Sequence, residues 1–72
     1  MKILKGQHLH VKHSRKGEFD AIALQEFDTE TTEFYPLALA KGEYVKGVSV
    51  ATFWLVGEEI PCRNSQCTIT II

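Results

Sequence analysis

Apolar and polar residues alternate at period two along most of this chain, and nowhere do they recur at the 3.6-residue spacing of an amphipathic helix. From Gln7 to His13 the alternation puts Leu9 and Val11 on one face and His8, His10 and Lys12 on the other, the pattern of a half-buried strand. Ser14-Arg15-Lys16-Gly17 combines a hydroxyl, two cations and a glycine able to take positive φ, which predicts a tight turn. Glu18 to Asp28 follows as a long strand with Phe19, Ala21, Ala23 and Phe27 on one side and Ile22 and Leu24 on the other. A strand apolar on both faces is expected to bend midway and serve two sheets.

Asp28 to Thr32 is a polar turn, and Glu33 to Ala40 is the next strand, placed at an edge or a bulge because Pro36 cannot donate to a ladder. Val48 to Val56 is the most strongly β-forming run, with Val48, Val50, Trp54 and Val56 assigned to the core and Phe53 and Leu55 to a reverse face that needs cover. Gly57-Glu58-Glu59 predicts a turn, Ile60-Pro61 an irregular link, and Thr68 to Ile72 a final strand. Five main strands with short connections and no crossover helix predict an all-β fold, a small five-stranded antiparallel barrel. Closure is favoured because a flat sheet of this size would leave apolar faces and unpaired edges in water.

Length agrees with a single domain spanning residues 1–72. A chain this short buries only about 60% of its unfolded surface, so its stability should be on the order of 4–11 kcal/mol. A net charge of −1 argues against a strong global attraction to nucleic acid or an anionic membrane. The segment MKILKGQHLHV has no apolar run suited to a signal peptide or a span, so a cytoplasmic location is expected, with Cys62 and Cys67 as reduced thiols. In an oxidising compartment the same pair would form a disulfide around a short loop.

The segment Lys5 to Leu39 carries a glycine before the first strand (Gly6), alternation through Val11, a basic turn Arg15-Lys16-Gly17, a long second strand, a polar turn at Asp28 to Thr32 and a third strand. It resembles the KOW-type SH3-like modules of translation and transcription proteins, departing from them at Glu18-Phe19-Asp20, where such modules carry a glycine. The resemblance covers about half the chain. It implies an SH3-like barrel whose basic first turn, here Lys12, Arg15 and Lys16, faces RNA.

Charge is segregated along the chain. Lys2, Lys5, Lys12, Arg15 and Lys16 precede every acid, and Glu18, Asp20, Glu26, Asp28, Glu30 and Glu33 follow with no base among them. One reading is a phosphate-binding patch, to which the histidines add donors. The other is cross-strand pairing of Lys12 with Glu18 or Asp20, worth roughly 0.2–1 kcal/mol. His8 and His10 share a face and with Cys62 and Cys67 would make a Cys2His2 set, but nothing in the spacing brings the two pairs together, so no metal or other cofactor is expected. Phe34-Tyr35 and Phe53-Trp54 are adjacent aromatics whose side chains point to opposite faces.

No nucleophile elbow or placeable carboxylate pair is present, so the chain is expected not to be an enzyme and to take no small-molecule substrate. The leading functional expectation is a binding module for nucleic acid, RNA or a nucleoprotein, using Lys12, Arg15, Lys16, His10 and an exposed aromatic. The alternative is a protein-interaction module or homo-oligomer using Phe53, Leu55, Tyr35 and the edge of the Glu33 to Ala40 strand. A stand-alone barrel of this size would also suit an accessory protein of a mobile element.

Overall fold

The computed structural model describes residues 1–41 and 55–72 and, at the backbone, 44–45 and 48–49. Every strand pairing among them is antiparallel and none of these residues is helical. The strands are β1 (Lys2–Ile3), β2 (His8–His13), β3 (Gly17–Ala23), β4 (Phe27–Asp28), β5 (Leu37–Leu39), β6 (Tyr44–Val45), β7 (Val48–Ser49), β8 (Glu59–Ile60) and β9 (Cys67–Ile71). The main sheet runs in the order β8-β5-β3-β2-β9, while β1 pairs with β4 and β6 with β7.

The predicted first hairpin forms in register, with His13 opposite Gly17 and Leu9 opposite Ala21. Gly17 takes φ +78, the left-handed conformation that a side chain resists, and so closes the turn. The long second strand divides as its two-sided apolar pattern predicts: β3 lies in the main sheet and β4, after a break at Leu24 to Glu26, joins β1. Phe19, Ala21, Ala23 and Phe27 are all buried, whereas Leu24 on the other side is exposed. With Ile3, Leu9, Val11, Leu37, Leu39 and Ile60 they make one core.

Three expectations need correction. The Glu33 to Ala40 strand is not an edge, because β5 pairs with β3 on one side and with β8 on the other. Glu59 and Ile60 are a strand rather than a turn and a link. Hydrogen bonds from Asn64 to Glu33, from Tyr35 to Cys62 and from Leu39 to Glu58 run the 58–64 segment antiparallel along the whole of 33–39. Val56 is 63% exposed rather than in the core. It sits in a turn closed by Glu58 N–H donating to the Leu55 carbonyl at 2.9 Å, with Gly57 at φ +90, and such a turn breaks the alternation on which the core assignment rested. The expectations for the side chains of Val48, Val50, Phe53 and Trp54 lie outside the described residues.

Among the described residues the main sheet runs open, with β8 and β9 at its ends, so their pairing does not show the barrel closure expected from the sequence. Its edges differ. Register parity turns the Pro61 nitrogen away from β5, so a residue with no N–H to offer blunts that side. On β9 the bonds from Ser14 to Gln66 and from Ile72 to His8 fix the even residues toward β2, which turns the backbone groups of Cys67, Ile69 and Ile71 outward. No helix among the described residues is long and apolar enough to cross a membrane.

Candidate functional site

The candidate surface starts on the outer face of β2 and β3. Alternation there brings His10 beside Asp20 and Lys12 beside Glu18 as cross-strand partners. His10, not Lys12, takes both carboxylates: its Nδ1–H donates to Asp20 Oδ1 at 2.8 Å and its Nε2–H to Glu18 Oε1 at 2.9 Å. Both ring nitrogens act as donors only in the imidazolium form. The bonds to Asp20 and then Glu18 accordingly raise the His10 pKa above its ordinary value. The same bonds lower the carboxyl pKa values of Glu18 and Asp20, with Lys12 adding to the first and Lys41, 3.6 Å from Asp20 Oδ2, to the second.

His10 therefore has no ring nitrogen left for a phosphate. It works instead as a bridge that occupies the two acids nearest the first turn. Among the described residues Lys12, Arg15 and Lys16 have no carboxylate within ion-pair distance, while Glu26 farther along is matched by Lys2 at 3.2 Å. Lys12 and Arg15 are exposed and Lys16 is half-buried. His13, at the end of β2, shapes the turn from below by accepting hydrogen bonds from the backbone N–H of Arg15 (3.0 Å) and Lys16 (3.2 Å) on Nδ1.

A second turn lies against the first. Ser14 N–H donates to the Gln66 carbonyl at 2.8 Å, and Gln66 N–H closes a turn on the Arg63 carbonyl at 2.9 Å. Arg63 bridges to Phe34, and its guanidinium stands 4.9 Å from the centre of the Phe34 ring. Phe34 is 57% exposed and follows the same outer-face alternation as Lys12. A shallow groove of about 450 Å³ opens beside it, lined in part by Gln25, Pro36, Glu59 and Pro61. Backbone hydrogen bonds thus tie the turn that carries Arg15 to the turn that begins at Arg63, and Arg63 stands over Phe34.

Two of these residues were not singled out in the sequence. Phe34 was legible as one of an adjacent aromatic pair, but which member faces out depended on register. Arg63 sits in a segment expected to be a plain loop. Tyr35, expected at a protein interface, is the inward member of the pair: it is 6% exposed, lies 5.0 Å from the Phe27 ring and donates its hydroxyl to the Thr29 carbonyl at 2.9 Å. Leu55 is 74% exposed, and Phe53 lies outside the described residues.

The Cys2His2 combination is excluded by faces. His8 and His10 lie on the outer side of the sheet, whereas Cys62 is buried in the core and Cys67 packs against it. Among the described residues no three His, Cys, Asp or Glu side chains are grouped to hold a metal ion. Comparison of the chain with protein-family models, with curated proteins and with solved structures found no match in any of the three.

Proposed function

We propose that this protein is a small non-catalytic binding module, related in architecture to SH3-like barrels, that holds single-stranded RNA or a nucleoprotein along a path from Lys12 to Phe34. One observation carries the reading: Glu18 and Asp20 are committed to His10, so the cations of the first turn stay available to phosphate. Arg63 and the exposed Phe34 ring add what a bare basic turn lacks, an aromatic face on which a base can stack. The cytoplasm, where RNA is accessible, is the compartment this reading assumes.

The test is a filter-binding titration of a single-stranded RNA at two salt concentrations. Binding should weaken with salt, and replacing Lys12, Arg15 and Lys16 together by alanine should flatten the log–log slope by about 2, on the basis of roughly 0.7 per phosphate contact on a single strand. Phe34→Ala should cost about 1–3 kcal/mol of binding while leaving the salt slope alone. Salt-independent binding, or a triple variant that binds like the parent, overturns the proposal.

A second reading is favoured by the contrast between the two edges. Residues Thr68 to Ile72 carry no charge and no proline, and their outward backbone groups are the template on which a second copy can add its own β9. Two antiparallel copies centred on Ile69 would place Thr68 opposite Thr70 and Ile69 opposite itself. This reading predicts a concentration-dependent mass in light scattering that salt barely changes. Ile71→Pro should abolish it, since that substitution removes an outward donor without touching the bonds to β2.

A further inference from the structure

Beneath the first turn, on the inner face of the same hairpin, lies a cluster that the nucleic-acid reading leaves unused: Cys62, Cys67 and His13, with the charge of Lys16 in that turn acting on both thiols. Both cysteines are free thiols. Cys62 is 1% exposed within the core, whereas Cys67 is half-buried, packs against that core and donates its S–H to the Arg63 carbonyl at 3.3 Å. The turn between them, closed by the Gln66 to Arg63 hydrogen bond, folds the chain back so that the two sulfurs are neighbours.

His13 pairs with Cys67 across β2 and β9. Register parity makes this a non-hydrogen-bonded pair, the kind in which facing side chains approach most closely, with Cα atoms about 4.5 Å apart. Because Nδ1 accepts two backbone N–H groups, the proton of the neutral ring sits on Nε2. That Nε2–H is buried, in a residue only 5% exposed, and has no partner among the described residues. An unpaired buried donor costs about 1–3 kcal/mol, so one beside a thiol calls for a reason.

We infer that Cys67 and Cys62 are an oxidant-responsive dithiol, in which Cys67 reduces a small hydroperoxide and Cys62 converts the product to an intramolecular disulfide. The Cys67 thiolate attacks the terminal oxygen of the hydroperoxide; an S–O bond forms, the O–O bond breaks, and the alkoxide leaves and takes up a proton as the alcohol. Sulfur loses two electrons and the peroxide gains them. The Cys62 sulfur then attacks the Cys67 sulfenic acid, giving up its proton as the S–S bond forms and the hydroxyl leaves as water. Accessibility sets the order, since Cys67 can meet a peroxide and Cys62 cannot.

When Cys67 ionises, the field of the Lys16 ammonium favours the sulfur anion, and the unpartnered His13 Nε2–H belongs to the residue paired with Cys67 across the sheet. Contact with Cys62, and then the charge of Lys16, already hold the Cys67 thiol below its ordinary pKa. Contact with Cys67, and then burial, push the Cys62 thiol far up. That asymmetry assigns attack to the first and resolution to the second.

The test treats the full reduced chain with hydrogen peroxide and follows it by thiol titration, intact mass and non-reducing peptide mapping. Both thiols should disappear together, with loss of two hydrogens and no change in oligomeric mass. Cys62→Ser should stop at a Cys67 sulfenic acid that a 1,3-dicarbonyl probe captures, and Cys67→Ser should leave Cys62 unreacted. Lys16→Ala, at a half-buried position in the turn, should slow the loss of Cys67 several-fold while the protein stays folded. Thiols that react only in urea, a persistent sulfenic acid in the parent protein, or disulfides only between chains would each overturn the inference.

Discussion

His10 and His13 stand three residues apart on one strand and live under opposite rules. His10 faces out, between two carboxylates that raise its pKa; burial, and then the charges of Lys16 and Arg15, lower the pKa of inward-facing His13. The same imidazole is thus an ionic clamp on one side of β2 and a backbone acceptor on the other. What separates them is the direction that strand alternation assigns and the neighbours that cross-strand register then supplies. The outer face sorts charge, whereas the inner face bears the stability.

The largest effect should come from the inner face. Leu9→Ala, at a fully buried position, should cost about 2–5 kcal/mol in urea unfolding. Lys12→Ala on the outer face should stay within about 0.5 kcal/mol. Equal costs would mean that the two faces do not divide the work in this way.

His13→Ala should come next, at about 1–3 kcal/mol, because two turn N–H groups lose their acceptor. His13→Asn should recover part of that loss, since an asparagine oxygen can accept from backbone N–H groups just ahead of it in sequence. An asparagine no better than alanine would assign the role of His13 to packing alone.

A smaller difference separates the adjacent aromatics. Tyr35→Phe gives up the hydrogen bond to Thr29 and should cost about 0.5–1.5 kcal/mol. Phe34→Ala should change stability by no more than about 0.5 kcal/mol, however strongly it affects RNA binding.

The gentlest probe is pH, where the two histidines should pull in opposite directions. The raised pKa of His10 means that its stabilisation is fully present below the unfolded value of about 6.5 and is lost as pH rises through the folded value. His13, with its pKa lowered, contributes stability that is present above about 6.5 and is lost as pH falls through its folded value. Denaturation midpoints measured across this range should therefore lose their alkaline decline in His10→Gln and the histidine part of their acid decline in His13→Gln. The lowered pKa values of Glu18 and Asp20 add a further decline at more acid pH, as pH falls through their folded values.

Much of this contrast was legible in the residues themselves. Leu9 and Val11 inward, Lys12 and His10 outward, a turn at Ser14 to Gly17 and a second strand shared between two sheets all followed from period two and one glycine. Less legible was the strand Glu59–Ile60, because a glycine turn before it and a proline after it look like loop on both sides. The Arg63–Phe34 pair was hidden for the same reason, since it exists only where the 58–64 segment runs back along 33–39.

What the amino-acid order determined by itself is which residues of a strand share a face, because successive residues of an extended chain point to opposite sides whatever lies next to them. Tertiary structure decided the partners: that His10 rather than Lys12 holds Glu18 and Asp20, that Phe34 rather than Tyr35 meets solvent, and that Cys62 and Cys67 meet beneath the first turn. Partners depend on register and twist between segments far apart in sequence, and no local periodicity encodes the distance across a sheet.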